Sequence, residues 1–411
     1  MHSMLALLAA CQNQVPEPEL TFYEDVQPIL EQHCVRCHKS SGQGVGDFTD
    51  PEAVQQLAPL LVDAIEAGTM PPPASDPECH DYQGSETVHL SDEDAAIISD
   101  WVAMGSLLGD PRDGKVYDHS PYTLEDPDLE LLIPEPYKPA FDDPRNPGNE
   151  YRCFSIAHGK DEPFYITAMH PVIDQSEMVH HIVLGKGSDE GIVPGSDGPA
   201  GADCIDGGAF ITGFQDGAML GGWAPGMQPV QLDDGAGILV FPHEYIVIQM
   251  HYYQTGDESP PSDQSGYAFK TSDTAEHSVQ MFPLGTQGFL IPAGAESYTY
   301  GDDLQLPFGI NVWGIFPHMH VLGSGYEMDY TDHDGETHCL ARSDGYDFDN
   351  QLMYMYRKPE RIERDERIRI SCTWNNSESN PDLIHNPPVD VGYGERTDEE
   401  MCFGFSLISF D

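Results

Sequence analysis

F-P-H-M-H-V-L at Phe316 to Leu322, M-V-H-H-I-V-L at Met178 to Leu184 and I-Q-M-H-Y-Y at Ile248 to Tyr253 place imidazoles inside β-branched and aromatic runs. Beyond Pro147 such runs alternate with Gly/Pro/Asp turns, as in Tyr245 to Tyr253 and Arg367 to Trp374, which is the pattern of antiparallel sandwiches. Along an extended strand residues i and i+2 share a face, so His318 and His320 can chelate one ion directly. His180 and His181 are adjacent and point to opposite faces. They can share an ion only at a bulge or a strand end.

Met401 in D-E-E-M-C adds a thioether to this inventory. Taken singly, each histidine reads as an ordinary core or surface residue, a description that fits the whole set poorly. Three imidazoles in one group, and two imidazoles with a thioether in the other, suit a metal that cycles between two oxidation states. Imidazole serves both states of copper and a thioether favours Cu(I), so copper is the metal to expect.

From about residue 126 to the C-terminus the chain resembles the copper type II, ascorbate-dependent monooxygenases. His-His, a later His, His-x-His and Met-Cys stand in that family's order, with W-A-P-G-M around Trp223 and Gln249 two residues before His251. The resemblance implies two all-β, jelly-roll-like antiparallel sandwich domains, over residues 126–273 and 274–411. It assigns His180, His181 and His251 to an electron-supplying copper. His318, His320 and Met401 go to the copper where dioxygen binds and substrate is hydroxylated. It also implies a disulfide between Cys372 and Cys402. Cys153 matches a family cysteine whose partner is replaced here by Gln264, leaving Cys204 as the first alternative; Cys79 and Cys339 have no assignment. Peptide-hydroxylating members anchor a substrate carboxylate with Arg, Asn and Tyr where this chain has Phe316, Phe403 and Phe405. A buried carboxylate needs charge-assisted donors, so these phenyl rings point to an apolar substrate.

At the other end, C-V-R-C-H at Cys34, Cys37 and His38 is the attachment pattern of a covalent c-type haem, with His38 as proximal ligand. Met70 in A-G-T-M-P-P is the candidate sixth ligand, with His80 and His89 as rivals. This region resembles small class I cytochromes c. Asp25 before Pro28, Asp50 before Pro51, and Ser91 with Asp94 read as helix starts, and Gly105 as a stop. The expectation is a small all-α cytochrome c domain over residues 20–109, joined by a linker at 110–125 to the sandwiches.

The first residues end an apolar run in L-A-A-C, which resembles a lipobox with Cys11 as the lipidated residue of a leader and linker spanning 1–19. Export agrees with covalent haem and with an even remainder of six among the nine cysteines once Cys11, Cys34 and Cys37 are set aside. A formal net charge of −52 over 411 residues makes nucleic acid and anionic lipid surfaces poor partners. The acidic residues are dispersed, as on a solvated surface, and some clusters have the ligand type for Ca²⁺.

Together these readings describe a multidomain, exported, lipid-anchored copper monooxygenase of the periplasm or outer surface. Its expected cofactors are two copper ions and one haem c, with ascorbate or another external reductant. Its expected partners are an apolar small molecule, dioxygen and an upstream electron donor. The alternative is a copper and haem electron carrier or redox sensor without hydroxylase activity.

Overall fold

Alternation along single strands decides which face each one buries. In Arg367–Asn376, Ile368, Ile370, Cys372 and Trp374 are buried while Arg367 and Arg369 face solvent. Phe403–Ser409 is buried at every position because it lies between His277–Gly285 and Ile310–His318 in the middle of a sheet. The structure, a computed structural model, describes residues 19–40, 42, 44–114, 123–144, 147–188, 192–204, 218–233, 235–256, 259–394 and 396–410. Cys11 and most of the expected leader lie outside them.

The longest sheet runs, in spatial order, Leu129–Leu132, Gly266–Ser272, Phe164–Val172, Ala236–Val240, His277–Gly285, Phe403–Ser409, Ile310–His318 and Tyr354–Ile362. A five-stranded sheet, Ala202–Asp203, Asn149–Ala157, Tyr245–Tyr253, Val179–Gly187 and Ala218–Trp223, belongs to the first half. A four-stranded sheet, Ala295–Gln305, Arg367–Asn376, Gly323–Thr331 and Thr337–Ser343, belongs to the second. Their apolar faces share one core with the long sheet. Phe154, Ile182 and Ile248 enter it from the five-stranded sheet, Phe269 and Leu407 from the long one, and Met328 and Trp374 from the four-stranded one. Among the described strands, pairing is antiparallel apart from His277 to Val279, which run parallel to Ala236 to Ile238 and join the two halves into one sheet.

The sandwich part of the expected fold class is present, and the separate all-α cytochrome c domain is not. Among the described residues before 114, helix is limited to short segments, chiefly Gln27–His33, Pro51–Glu66 and Asp92–Ala103, which gather a small apolar cluster around Phe22, Leu30 and Trp101. The segment between the last two is instead built into the β structure. Tyr82 sits in the main core and bridges to Tyr356, Ser75 N–H donates to Tyr354 Oη at 2.9 Å, and Cys79 is disulfide-bonded to Cys339. The helix starts are where the sequence placed them at Asp50 and Ser91, whose side chains accept from Glu52 N–H and Asp94 N–H. Ahead of Gln27–His33, Thr21 caps the short helical segment Phe22–Val26 by accepting from Glu24 N–H, and Asp25 accepts from Thr21 N–H instead of capping the helix. Caps are worth about 1 kcal/mol each and act locally. They say where helices begin, and nothing about the buried tyrosine and the disulfide that tie this region to strands more than 250 residues away.

Candidate metal centre

The five-stranded sheet brings the first three imidazoles together. His181 is the cross-strand partner of His251, and the register shifts between Val179 and His181. That irregularity turns His180 onto the same side as its neighbour. The Nδ1 atoms of His180, His181 and His251 lie 3.1–3.2 Å from one another. Copper–imidazole bonds of about 2 Å would set three ligand nitrogens roughly 3.3 Å apart, so the donor set fits one ion without rearrangement.

Surrounding groups orient these rings. His251 Nε2–H donates to Asn149 Oδ1 at 2.8 Å, which leaves Nδ1 with its lone pair, and the Tyr151 ring stacks on His251 at 4.2 Å. His180 Nε2 faces Asp349 Oδ1 at 3.3 Å. Burial, with repulsion from His180 second, lowers the His181 pKa to about 3; burial takes His251 well below its ordinary value. Both are neutral near pH 7, the state that binds a metal.

His318 ends the strand Ile310–His318 and His320 follows two residues later, their ring centroids 5.2 Å apart. His318 Nδ1–H donates to Gln351 Oε1 at 2.6 Å and His320 Nδ1–H to the Glu399 carbonyl at 3.0 Å, so each ring keeps Nε2 for a ligand. Burial lowers these pKa values to about 3 and about 4. Met401 is buried on the same cavity wall, and the Cys372–Cys402 disulfide fixes the residue beside it.

One cavity of about 140 Å³ meets both groups: His181, His318, His320 and Met401 all line it. Trp223, Met219, Ile182, Phe316, Phe348 and Phe405 supply apolar wall, and none of its lining residues is Lys or Arg. Phe316 and Phe405 line the cavity, while Phe403 is not among its lining residues and stacks on Phe405 at 5.6 Å. Gln249 also lines the cavity. Asn149, Tyr151, Gln351, Asp349 and Glu400 escaped the sequence reading. Their only sequence signal is proximity to a ligand or to its strand partner, as Asn149 and Tyr151 precede Cys153 on the strand paired with His251.

Away from this centre, Cys34 and Cys37 are free thiols, whereas the other described cysteines form Cys79–Cys339, Cys153–Cys204 and Cys372–Cys402. His38 Nδ1–H donates to the Val45 carbonyl at 2.9 Å and its ring stacks on Phe48, leaving Nε2 available. Two unpaired thiols beside such a ring suit covalent haem attachment. Met70 is 37% exposed at the end of Pro51–Glu66, with its N–H bonded to the Ala64 carbonyl. His80 stacks on Tyr356, and His89 is bonded to the Ser75 carbonyl. Among the described residues no helix is long and apolar enough to cross a membrane.

The human DBH-like monooxygenase protein 1 is 24% identical over 271 residues, covering 60% of this chain and 42% of the relative. The mouse protein of the same name is 24% identical over 178 residues, 40% of this chain and 28% of the relative. The chain thus spans less than half the length of the curated relatives it matches. Among solved structures, that of infectious bursal disease virus Gx strain aligns with 71% of this chain and 75% of its own at a TM-score of 0.20 and 10% identity. Residues 289–407, which contain His318, His320 and Met401, match the family model for the C-terminal domain of copper type II ascorbate-dependent monooxygenases, so this part of the chain is similar to the domain of a copper-using oxidoreductase.

Proposed function

We propose that this chain is an exported copper-dependent monooxygenase that hydroxylates a C–H bond of a neutral, apolar small molecule. The observation that carries the reading is the single apolar cavity shared by His181 of one imidazole group and His318, His320 and Met401 of the other. In this reading residues 126–273 and 274–411 are its two β domains, each contributing one copper site. The bound coppers would supply one-electron steps and dioxygen activation, so that R–H, dioxygen, two electrons and two protons give R–OH and water.

The chain's own groups prepare that chemistry. Asn149, Gln351 and the Glu399 carbonyl hold the outer ring protons, so the inner nitrogens face the metals. Phe316, Phe348 and Phe405 exclude water from one side of the cavity. Without a cationic partner among the lining residues, a carboxylate guest would lose its hydration uncompensated. An electron carrier built on the same ligands would have no use for such a cavity.

Cys34, Cys37 and His38 would hold a covalent haem, with Met70 as the sixth ligand, and this haem would supply reducing equivalents in place of, or alongside, ascorbate or another external reductant. Cys11 would carry the lipid anchor. The test is a mass-spectrometric product screen under ¹⁸O-labelled dioxygen with copper and reductant, offering neutral apolar molecules beside glycine-terminated peptides. The expected result is label in products of the neutral class. Turnover of the peptides alone would overturn the substrate class, and no labelled product from copper-replete protein would favour the carrier.

A further inference from the structure

The backbone ladder between the two segments that bear the second set of ligands stops too early to hold that set. Ile310–His318 pairs with Phe403–Ser409 only as far as His318 opposite Phe403. His320 and Met401 both lie beyond that same end of the ladder, where continued antiparallel pairing would have set them opposite one another. What joins them is a side chain. Glu400 is fully buried, and its carboxylate accepts four N–H groups: Oε2 takes His320 N at 2.9 Å, Trp374 Nε1 at 3.0 Å and Met401 N at 3.1 Å, while Oε1 takes Leu322 N at 2.7 Å.

We propose that Glu400 is the positioning residue of the His318, His320 and Met401 centre, a role that rests on reading those three as copper ligands. Its carboxylate substitutes for the missing ladder and fixes the spacing between the His320 ring and the Met401 thioether. The two oxygens of Glu400 share four convergent donors between them, whereas a glutamine offers one oxygen and turns an NH₂ toward the fourth. An aspartate is one methylene too short to reach both segments. Trp374 extends the bridge into Arg367–Asn376, the strand whose Cys372 is bonded to Cys402. Glu400 and the disulfide thus brace Met401 from its two sides.

The experiment uses full-length protein loaded with copper, as wild type, Glu400→Gln and Glu400→Ala. Thioether scattering is read by X-ray absorption on the Cu(I) form, and the affinity of each site by competition titration. Loss of an orienting partner of this kind costs roughly 10–100-fold in metal affinity, and Glu400→Ala is expected to show that loss at one copper, with its thioether signal gone. The copper on the three imidazoles should be unaffected, which a general loss of folding would not allow. Glu400→Gln should retain the thioether signal with an intermediate loss of affinity. If wild type itself shows no thioether scattering, the ligand assignment fails and the role of Glu400 fails with it. If wild type shows it and Glu400→Ala keeps both signal and affinity, the assignment stands and the positioning role is overturned. Should Glu400→Ala not fold, Glu400→Gln decides: unchanged affinity at both sites overturns the proposal, and weakening confined to the Met401 site sustains it.

Discussion

Asn149 Oδ1 receives the Nε2–H of His251 at 2.8 Å, and this one hydrogen bond sets which nitrogen of His251 faces His180 and His181. Asn149→Leu frees the ring to turn and to exchange tautomers. The expected outcome is roughly 10–100-fold weaker copper binding at the three-imidazole site, with the other site unchanged, by competition titration. Affinity unchanged from wild type at the three-imidazole site would show that Asn149 has no part in ligand orientation.

Phe316 forms part of the cavity wall beside His318. Phe316→Arg places a guanidinium in this apolar wall, where the one lining carboxylate, Asp349, already faces His180, so turnover of an apolar substrate should fall chiefly through a raised KM. Steady-state kinetics with the substrate found by the product screen give the answer. Unaltered KM would remove Phe316 from the substrate site.

Met70→Ala tests the proposed haem. Protein matured in an exporting host should keep its haem after denaturation, and the variant's optical spectrum should change from low-spin to high-spin or to that of a replacement ligand. A spectrum identical to wild type would move the sixth ligand elsewhere.

Cys79→Ser with Cys339→Ser opens a loop closed over 260 residues. Loss of such a disulfide typically costs about 2–5 kcal/mol, and here it should appear as proteolytic cleavage between residues 70 and 90, with both copper sites still binding. Resistance to protease would show that Tyr82 and the Ser75 hydrogen bonds hold the segment unaided.

The Asp76–Arg342 pair gives that attachment a pH dependence of known sign. The Arg342 guanidinium holds the Asp76 carboxyl below its ordinary value. A depressed carboxylate stabilises the fold above its unfolded pKa of about 3.9 and loses that contribution as pH falls through the folded pKa. Asp76→Asn should therefore be slightly less stable than wild type at pH 7, with the difference shrinking at and below about pH 4. Denaturant melts at several pH values will show it. A difference independent of pH would mean the pair contributes packing rather than charge.

The nearness of His318 and His320 was expected from a two-residue period on one strand, whereas the strand ends at His318 and His320 follows just past it, with the ring centroids 5.2 Å apart. The convergence of His180 with His181 was legible only as a condition, since nothing in M-V-H-H-I-V-L announces the register shift between Val179 and His181. The Cys372–Cys402 bond came through resemblance, and Cys204 as the partner of Cys153 was the first alternative. Cys79 with Cys339 could not be read, because pairing over that separation is decided by which surfaces meet. The same limit explains the all-α expectation. The capping signals at Asp50 and Ser91 name their helices correctly, whereas Ser75 and Tyr82 reveal their attachment to the second sandwich only through residues such as Tyr354 and Leu340. Glu400 looked like one more acidic residue in D-E-E-M-C until its four donors were in view.

The parallel seam of His277 to Val279 against Ala236 to Ile238 has a mechanical consequence. Beads on a flexible tether could swing apart to admit a guest between them. Here a hinge of that sort would have to tear hydrogen bonds from the middle of a continuous sheet, so the two halves behave as one plate. Freedom to admit a guest then falls to the cavity lining that lies outside every strand, such as Phe348, Asp349 and Gln351.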